Sequence, residues 1–118
     1  MPEHSKPIAF VETSGFTRRV VALGLEKPLR ELQLHLTDNP EAGATDPGTG
    51  GLRKVRLADP GRGKGKRGGA RVHYLWASGP SVVYMLSVYS KDELDTLTPK
   101  QKRQLRSVVE AIKREWAK

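Results

Sequence analysis

Apolar residues change their spacing several times along the 118-residue chain, and each change predicts an element. Pro7-Ile8-Ala9-Phe10-Val11-Glu12 alternates, with Ile8, Phe10 and Glu12 on one side and Ala9 and Val11 on the other, which predicts a short first strand. Thr13 or Ser14 then offers an N-cap to a helix carrying Phe16, Val20 and Leu23, and Gly24 stops it. Leu25, Leu29, Leu32 and Leu36 form the stripe of a second helix that ends near Asp38-Asn39-Pro40. The two predict a helical hairpin, with His35 at the border of its apolar stripe.

Residues 40–51 are rich in Gly, Pro and Asp, carry no hydrophobic load and predict a loop. Alternation returns in three segments. In 52–58, Lys54 and Arg56 alternate with Val55 and Leu57; in 70–77, Arg71, His73 and Leu75 alternate with Val72, Tyr74 and Trp76; in 82–89, Val83, Met85, Ser87 and Tyr89 alternate with Val82, Tyr84, Leu86 and Val88. Ser78-Gly79-Pro80 joins the last two as a hairpin, and residues 59–69 join the first two as a mobile basic loop. Thr98-Pro99-Lys100-Gln101 reads as a capping box opening a final helix. Its apolar stripe is Leu105, Val108, Val109, Ile112 and Trp116, with Lys102, Arg103, Arg106 and Lys113 on the opposite side. The expected fold class is α+β. An N-terminal strand and helical hairpin pack on a small antiparallel sheet, a three-strand meander plus the first strand, with a C-terminal helix. One domain spans 1–118, with residues 1–7 as a disordered tail within it, and no internal repeat is visible.

Composition narrows the function. The absence of Cys excludes disulfide scaffolds, Cys-based zinc sites and thiol nucleophiles. The longest apolar run, Val82 to Leu86, is far short of the ~20 residues that span a bilayer. The N-terminus lacks the apolar region of a secretory signal, so a cytoplasmic protein is expected. The formal net charge is +8, and it is concentrated. Residues 51–80 hold Arg53, Lys54, Arg56, Arg62, Lys64, Lys66, Arg67 and Arg71 against the single acid Asp59. A polyanionic partner follows from that density.

Strand parity gives the charge a location. With Val55, Leu57, Val72, Tyr74, Trp76, Tyr84, Leu86 and Val88 facing helices, Lys54, Arg56, Arg71, His73 and Tyr89 fall on an open face, with Lys91 just beyond the strand end. A phosphodiester backbone suits those clustered cations. Arg53, His73 and the loop residues Arg62, Lys64, Lys66 and Arg67 are the expected RNA- or ribosome-contacting set. Cleavage of RNA by its own 2′-hydroxyl needs a base, positive charge on the phosphoryl oxygens and an acid for the leaving 5′-oxygen. Of the three histidines, His4 lies in the tail and His35 on a helix, so no histidine pair serves the sheet. A lysine among like charges gives up its proton more readily, and Lys54 beside Arg56 and Arg71 has those surroundings. No cluster of acids accompanies the sheet, so no metal or other cofactor is expected. Gly63-Lys64-Gly65-Lys66-Arg67-Gly68 formally fits a dinucleotide fingerprint, but it joins two strands and lacks the downstream acid. The same loop fails the P-loop pattern, since no Ser or Thr follows its lysine.

The segments Gly48-Thr49-Gly50-Gly51-Leu52-Arg53-Lys54-Val55-Arg56, Gly63-Lys64-Gly65-Lys66-Arg67-Gly68-Gly69-Ala70-Arg71-Val72-His73-Tyr74 and Tyr89-Ser90-Lys91 together resemble the RelE/HigB-like toxins of bacterial type II toxin–antitoxin systems. The resemblance spans about residues 8–116. It implies a compact α+β fold and a ribosome-dependent mRNA endonuclease that cuts in the A site, against 16S rRNA, without metal. It also implies neutralisation by a cognate antitoxin, HigA-like with a DNA-binding domain, and no membrane partner. On the family pattern the catalytic residues are Lys54, Arg56, Arg71 and Lys91, with Tyr89 beside them. The chain departs from the pattern where some relatives carry a C-terminal tyrosine: its final segment offers only Trp116, assigned above to the core. Two other readings stand beside this one. One is a non-catalytic RNA- or ribosome-binding protein; the other is a toxin of the same fold aimed at gyrase, whose representatives tend to lack the basic sheet residues.

Overall fold

The computed structural model describes residues 7–58, 69–91, 93, 94 and 96–116. In chain order these form β1 (Ala9–Glu12), α1 (Ser14–Leu23), α2 (Glu26–Asp38), β2 (Ala44–Thr45), β3 (Arg53–Leu57), β4 (Ala70–Ala77), β5 (Val82–Ser90) and α3 (Pro99–Trp116). The fold is α+β, with one five-stranded sheet in the order β1-β5-β4-β3-β2. β3, β4 and β5 form the expected antiparallel meander. β1 joins β5 in parallel, because the helical hairpin carries the chain back across the sheet before the meander begins. The two-residue β2, inside the expected loop, extends the other edge.

The local signals read from the sequence are present as bonds. Thr13 Oγ1 accepts from the Phe16 N–H at 3.1 Å, and Gly24 ends α1 in the left-handed conformation at φ 67°. Thr98 and Gln101 close a reciprocal capping box at the start of α3, at 2.9 and 3.1 Å. Phe16, Val20, Leu25, Leu29, Leu32 and Leu36 are all buried and meet Leu57, Val72, Tyr74, Val83, Met85 and Val88 from the sheet. Each such side chain contributes about 1.5–3 kcal/mol by leaving water. Tyr74, fully buried in this core, donates to the Pro40 carbonyl at 2.8 Å and accepts from the Gly43 N–H at 3.0 Å, tying down the chain after α2.

Two expectations are corrected. First, the alternation of β5 breaks in the middle. Tyr74 pairs with Met85 but His73 pairs with Ser87, so Leu86 is an extra residue, a β-bulge. The insertion inverts parity: Val83 and Met85, not Tyr84 and Leu86, face the helical hairpin. Second, the opposite face is not open. Tyr84, Leu86, Leu75 and Leu52 form a second apolar cluster there, covered by Leu105, Val109, Ile112 and Trp116 of α3. Trp116 thus packs inward as expected, its Nε1–H donating to Tyr84 Oη at 3.2 Å, whereas Val108 points outward, 41% exposed. No helix among the described residues is long and apolar enough to cross a membrane.

Candidate active site

The meander's register brings five predicted residues into two rows on the α3 side of the sheet. Lys54 pairs with His73, which pairs with Ser87; Arg56 pairs with Arg71, which pairs with Tyr89. Facing side chains on adjacent strands stand about 4.5–5.5 Å apart at Cβ, so Arg56 and Arg71 are held as a like-charged pair. The α3 cluster covers the other end of these strands and leaves this end clear. Lys54, Arg56 and Arg71 have no ion-pair partner among the described residues. Lys91 follows at the end of β5, half-buried, its N–H donating to the Gly69 carbonyl at 3.1 Å. Tyr89 is buried at the base of the row, its ring 6.0 Å from that of His73 and inclined to it by 27°. Next to Tyr89 lies a shallow hollow of about 310 Å³, bordered by Ser87, Glu93, Leu97 and Gln101.

His73 is not the RNA-contacting residue expected from parity. It sits at the border between the cationic row and the α3 cluster, with no exposed surface. Its Nε2 lies 2.7 Å from Asp46 Oδ2. A carboxylate only accepts, so Nε2 carries the hydrogen and donates to it. Nδ1 has no hydrogen-bond partner among the described residues. Burial pushes the proton affinity of the imidazole below its usual value, and the neighbouring charges of Lys54 and Lys102 push the same way. The bond to Asp46 opposes them without prevailing, so His73 is neutral at pH 7. Burial works to raise the Asp46 pKa, but the hydrogen bonds and charges of His73 and Lys102 outweigh it and hold the carboxyl below its usual range.

Sequence reasoning missed Asp46 and Lys102. Lys102 Nζ donates to Asp46 Oδ1 and to the Pro47 carbonyl, each at 3.1 Å. The signal was present: Lys102 continues the spacing of Leu105, Val109, Ile112 and Trp116, so it lies on the stripe that turns towards the sheet. Asp46 is held by its own backbone, its N–H donating to the Leu52 carbonyl at 2.9 Å and its carbonyl accepting from Thr49 Oγ1 at 2.7 Å. Gly50, at φ 81°, lets this loop pass close under α3, where a Cβ would stand 3.0 Å from Arg106 Cγ.

Arg53 lies apart from the cationic row. It pairs with Tyr74, on the opposite face, and donates to the carbonyls of Gly43 at 2.7 Å and Glu41 at 3.2 Å. The guanidinium is engaged in holding the loop beside β2, on the face away from the cationic row. Arg62, Lys64, Lys66 and Arg67, like most of the loop expected over 59–69 and of the tail over 1–7, lie outside the described residues. No three His, Asp or Glu side chains come together as a metal-holding group among the described residues.

No protein-family model matches the chain. Among solved structures it is similar to an arginine double mutant of the E. coli toxin RelE in the free state, with 16% sequence identity and a TM-score of 0.57. The superposition covers 76% of this chain and 90% of that one. At that identity the likeness is one of architecture: the chain has a RelE-like α+β fold.

Proposed function

We propose that this chain is a toxin acting as a metal-independent mRNA endonuclease on the ribosome, cutting in the A site and arresting translation until a cognate antitoxin neutralises it. The single observation that carries the reading is the set of in-register cations, Lys54 on β3 with Arg56 opposite Arg71, unpaired among the described residues. Like charges facing each other across strands are destabilising. A bridging phosphate relieves that repulsion and supplies the function. The likeness to a protein named as a toxin supports the same reading.

The chemistry assigned to these groups balances without a cofactor. Lys54 takes the proton of the 2′-hydroxyl as its oxygen attacks the adjacent phosphorus. Arg56 and Arg71 hold the phosphoryl oxygens, where negative charge grows in the transition state. A proton from Lys91 goes to the departing 5′-oxygen, and a 2′,3′-cyclic phosphate is left behind. Buried Tyr89 orients the row from below. Arg62, Lys64, Lys66 and Arg67 are assigned to the RNA and ribosomal backbone, and the antitoxin to an acidic or amphipathic segment that covers the basic face.

The test is brief induction of the protein in bacteria, with growth followed and mRNA ends mapped by sequencing. The wild-type chain arrests growth and produces ends clustered at codons on translated messages only. The Lys54→Ala/Arg71→Ala variant, folded by circular dichroism, does neither. A folded double variant that still arrests growth and cuts would sink the assignment. RNA binding without new ends would identify a non-catalytic binder, and a DNA-damage response a gyrase poison.

A further inference from the structure

Between the cationic row and the α3 cluster lies a buried polar set that packing alone does not require. His73 is fully enclosed, Asp46 is 6% exposed and bonds to it, and Lys102 reaches Asp46 from the first turn of α3. Apolar side chains of similar size would fill this space without the desolvation penalty of a buried acid, base and cation. The set also joins three separate parts of the chain: a helix, a loop and a strand. Both Asp46 oxygens are engaged, Oδ2 by His73 and Oδ1 by Lys102. With Nε2 fixed in this way the imidazole has one orientation, and that ring is the surface on which Tyr89 stacks. His73 is also the direct strand partner of Lys54.

We propose that Lys102, Asp46 and His73 form a positioning relay that sets Tyr89 and Lys54 in the geometry RNA cleavage needs, an inference that rests on the endonuclease reading above. None of the three touches the RNA. Lys102 anchors the carboxylate, the carboxylate fixes the imidazole, and the imidazole fixes the phenol ring at the base of the row. In-line attack at phosphorus is sensitive to placement, and an error of about 1 Å reduces rate on the order of 100-fold. The relay makes the accuracy of the site depend on α3 being seated, although α3 contributes no group to the row itself.

The relay is tested in the full-length chain with Lys102→Met and Asp46→Asn, and with Lys102→Arg as the conservative variant, on mRNA bound to ribosomes. For Lys102→Met and Asp46→Asn, kcat falls roughly 10- to 100-fold while KM stays within about twofold. Lys102→Arg, which keeps the charge and a donor, recovers most of kcat. Proton NMR reports the structural half: the His73 Nε2–H resonance and the Tyr89 ring resonances shift in Lys102→Met. Unchanged kcat in folded variants, or a loss confined to KM, overturns the proposal. If Asp46→Asn fails to fold, Lys102→Met decides, since that side chain is 25% exposed at the surface end of the set. If the wild-type chain cleaves no RNA, the endonuclease reading fails by itself. The relay is then judged by the Tyr89 ring resonances: their shift in Lys102→Met supports it, and their constancy overturns it.

Discussion

The two faces of the sheet come from the same three strands and solve different problems. Under α1 and α2, Leu57, Val72, Val83, Met85 and Val88 are buried against the helical hairpin, with Tyr74 contributing a phenol whose hydroxyl is satisfied by backbone. Under α3 the apolar area ends at Leu75 and Leu86. Beyond it come a buried His–Asp–Lys set and then a row of cations. One face is built for stability. The other ends its apolar cluster short and carries cations that have no ion-pair partner among the described residues. Packing and charge therefore lie on opposite sides of the same strands, and neighbours such as Arg71 and Val72 face different surroundings.

That division is broken most severely by charge on the wrong side. Val72→Asp buries an unpaired carboxylate in the dry face and costs about 3–5 kcal/mol, read as loss of the cooperative urea transition. Next in size is Gly50→Ala. The added Cβ must adopt φ 81° and press on Arg106 and Val109 of α3, which costs about 1–3 kcal/mol by chemical denaturation. A smaller, pH-dependent effect belongs to His73. Its folded-state pKa is depressed, chiefly by burial, so the unfolded chain takes up a proton near its ordinary 6.5 while the folded one does not. Stability from this group is complete above that pH and is lost as pH falls towards the folded value. Urea midpoints are therefore expected to decline below about pH 6.5 and to be flat just above it. Asp46, also depressed, adds a second loss as pH falls below 3.8. The smallest effect has the opposite sign. Arg56→Ala removes one of two facing cations and raises stability by about 0.2–1 kcal/mol while weakening RNA binding. A loss of stability there would mean that the pair is already neutralised within the fold.

Much of the fold was legible because it is periodic. The stripes of α1 and α2, the capping box at Thr98 and the three meander strands are local patterns, and local physics realises them. The row of Lys54, Arg56 and Arg71 was legible for the same reason: parity holds within β3 and the first half of β4. Parity failed at Leu86, where nothing in Val82 to Tyr89 distinguishes a bulge from continued alternation. An apolar stripe says that a helix packs and not on which face, so the covering of the supposedly open side by α3 was hidden, and with it the enclosure of His73. Asp46 was hidden because its loop carries no hydrophobic signal. Its burial comes from glycines that let backbone approach α3, a long-range contact that spacing does not reveal.

The parallel joining of β1 to β5 bears on the order in which this protein can be made. The helical hairpin is synthesised first, yet the sheet residues on which Phe16 and Val20 settle, Val83 and Met85, arrive more than sixty residues later. Isolated helices of 10 and 13 residues are marginal in water, so they stay unsettled until β5 has emerged. The cationic row assembles at that same moment, and Lys102 comes later still. A nascent chain therefore carries exposed apolar helices well before it carries a site. That interval is one in which another protein can meet the hairpin before the cationic row exists.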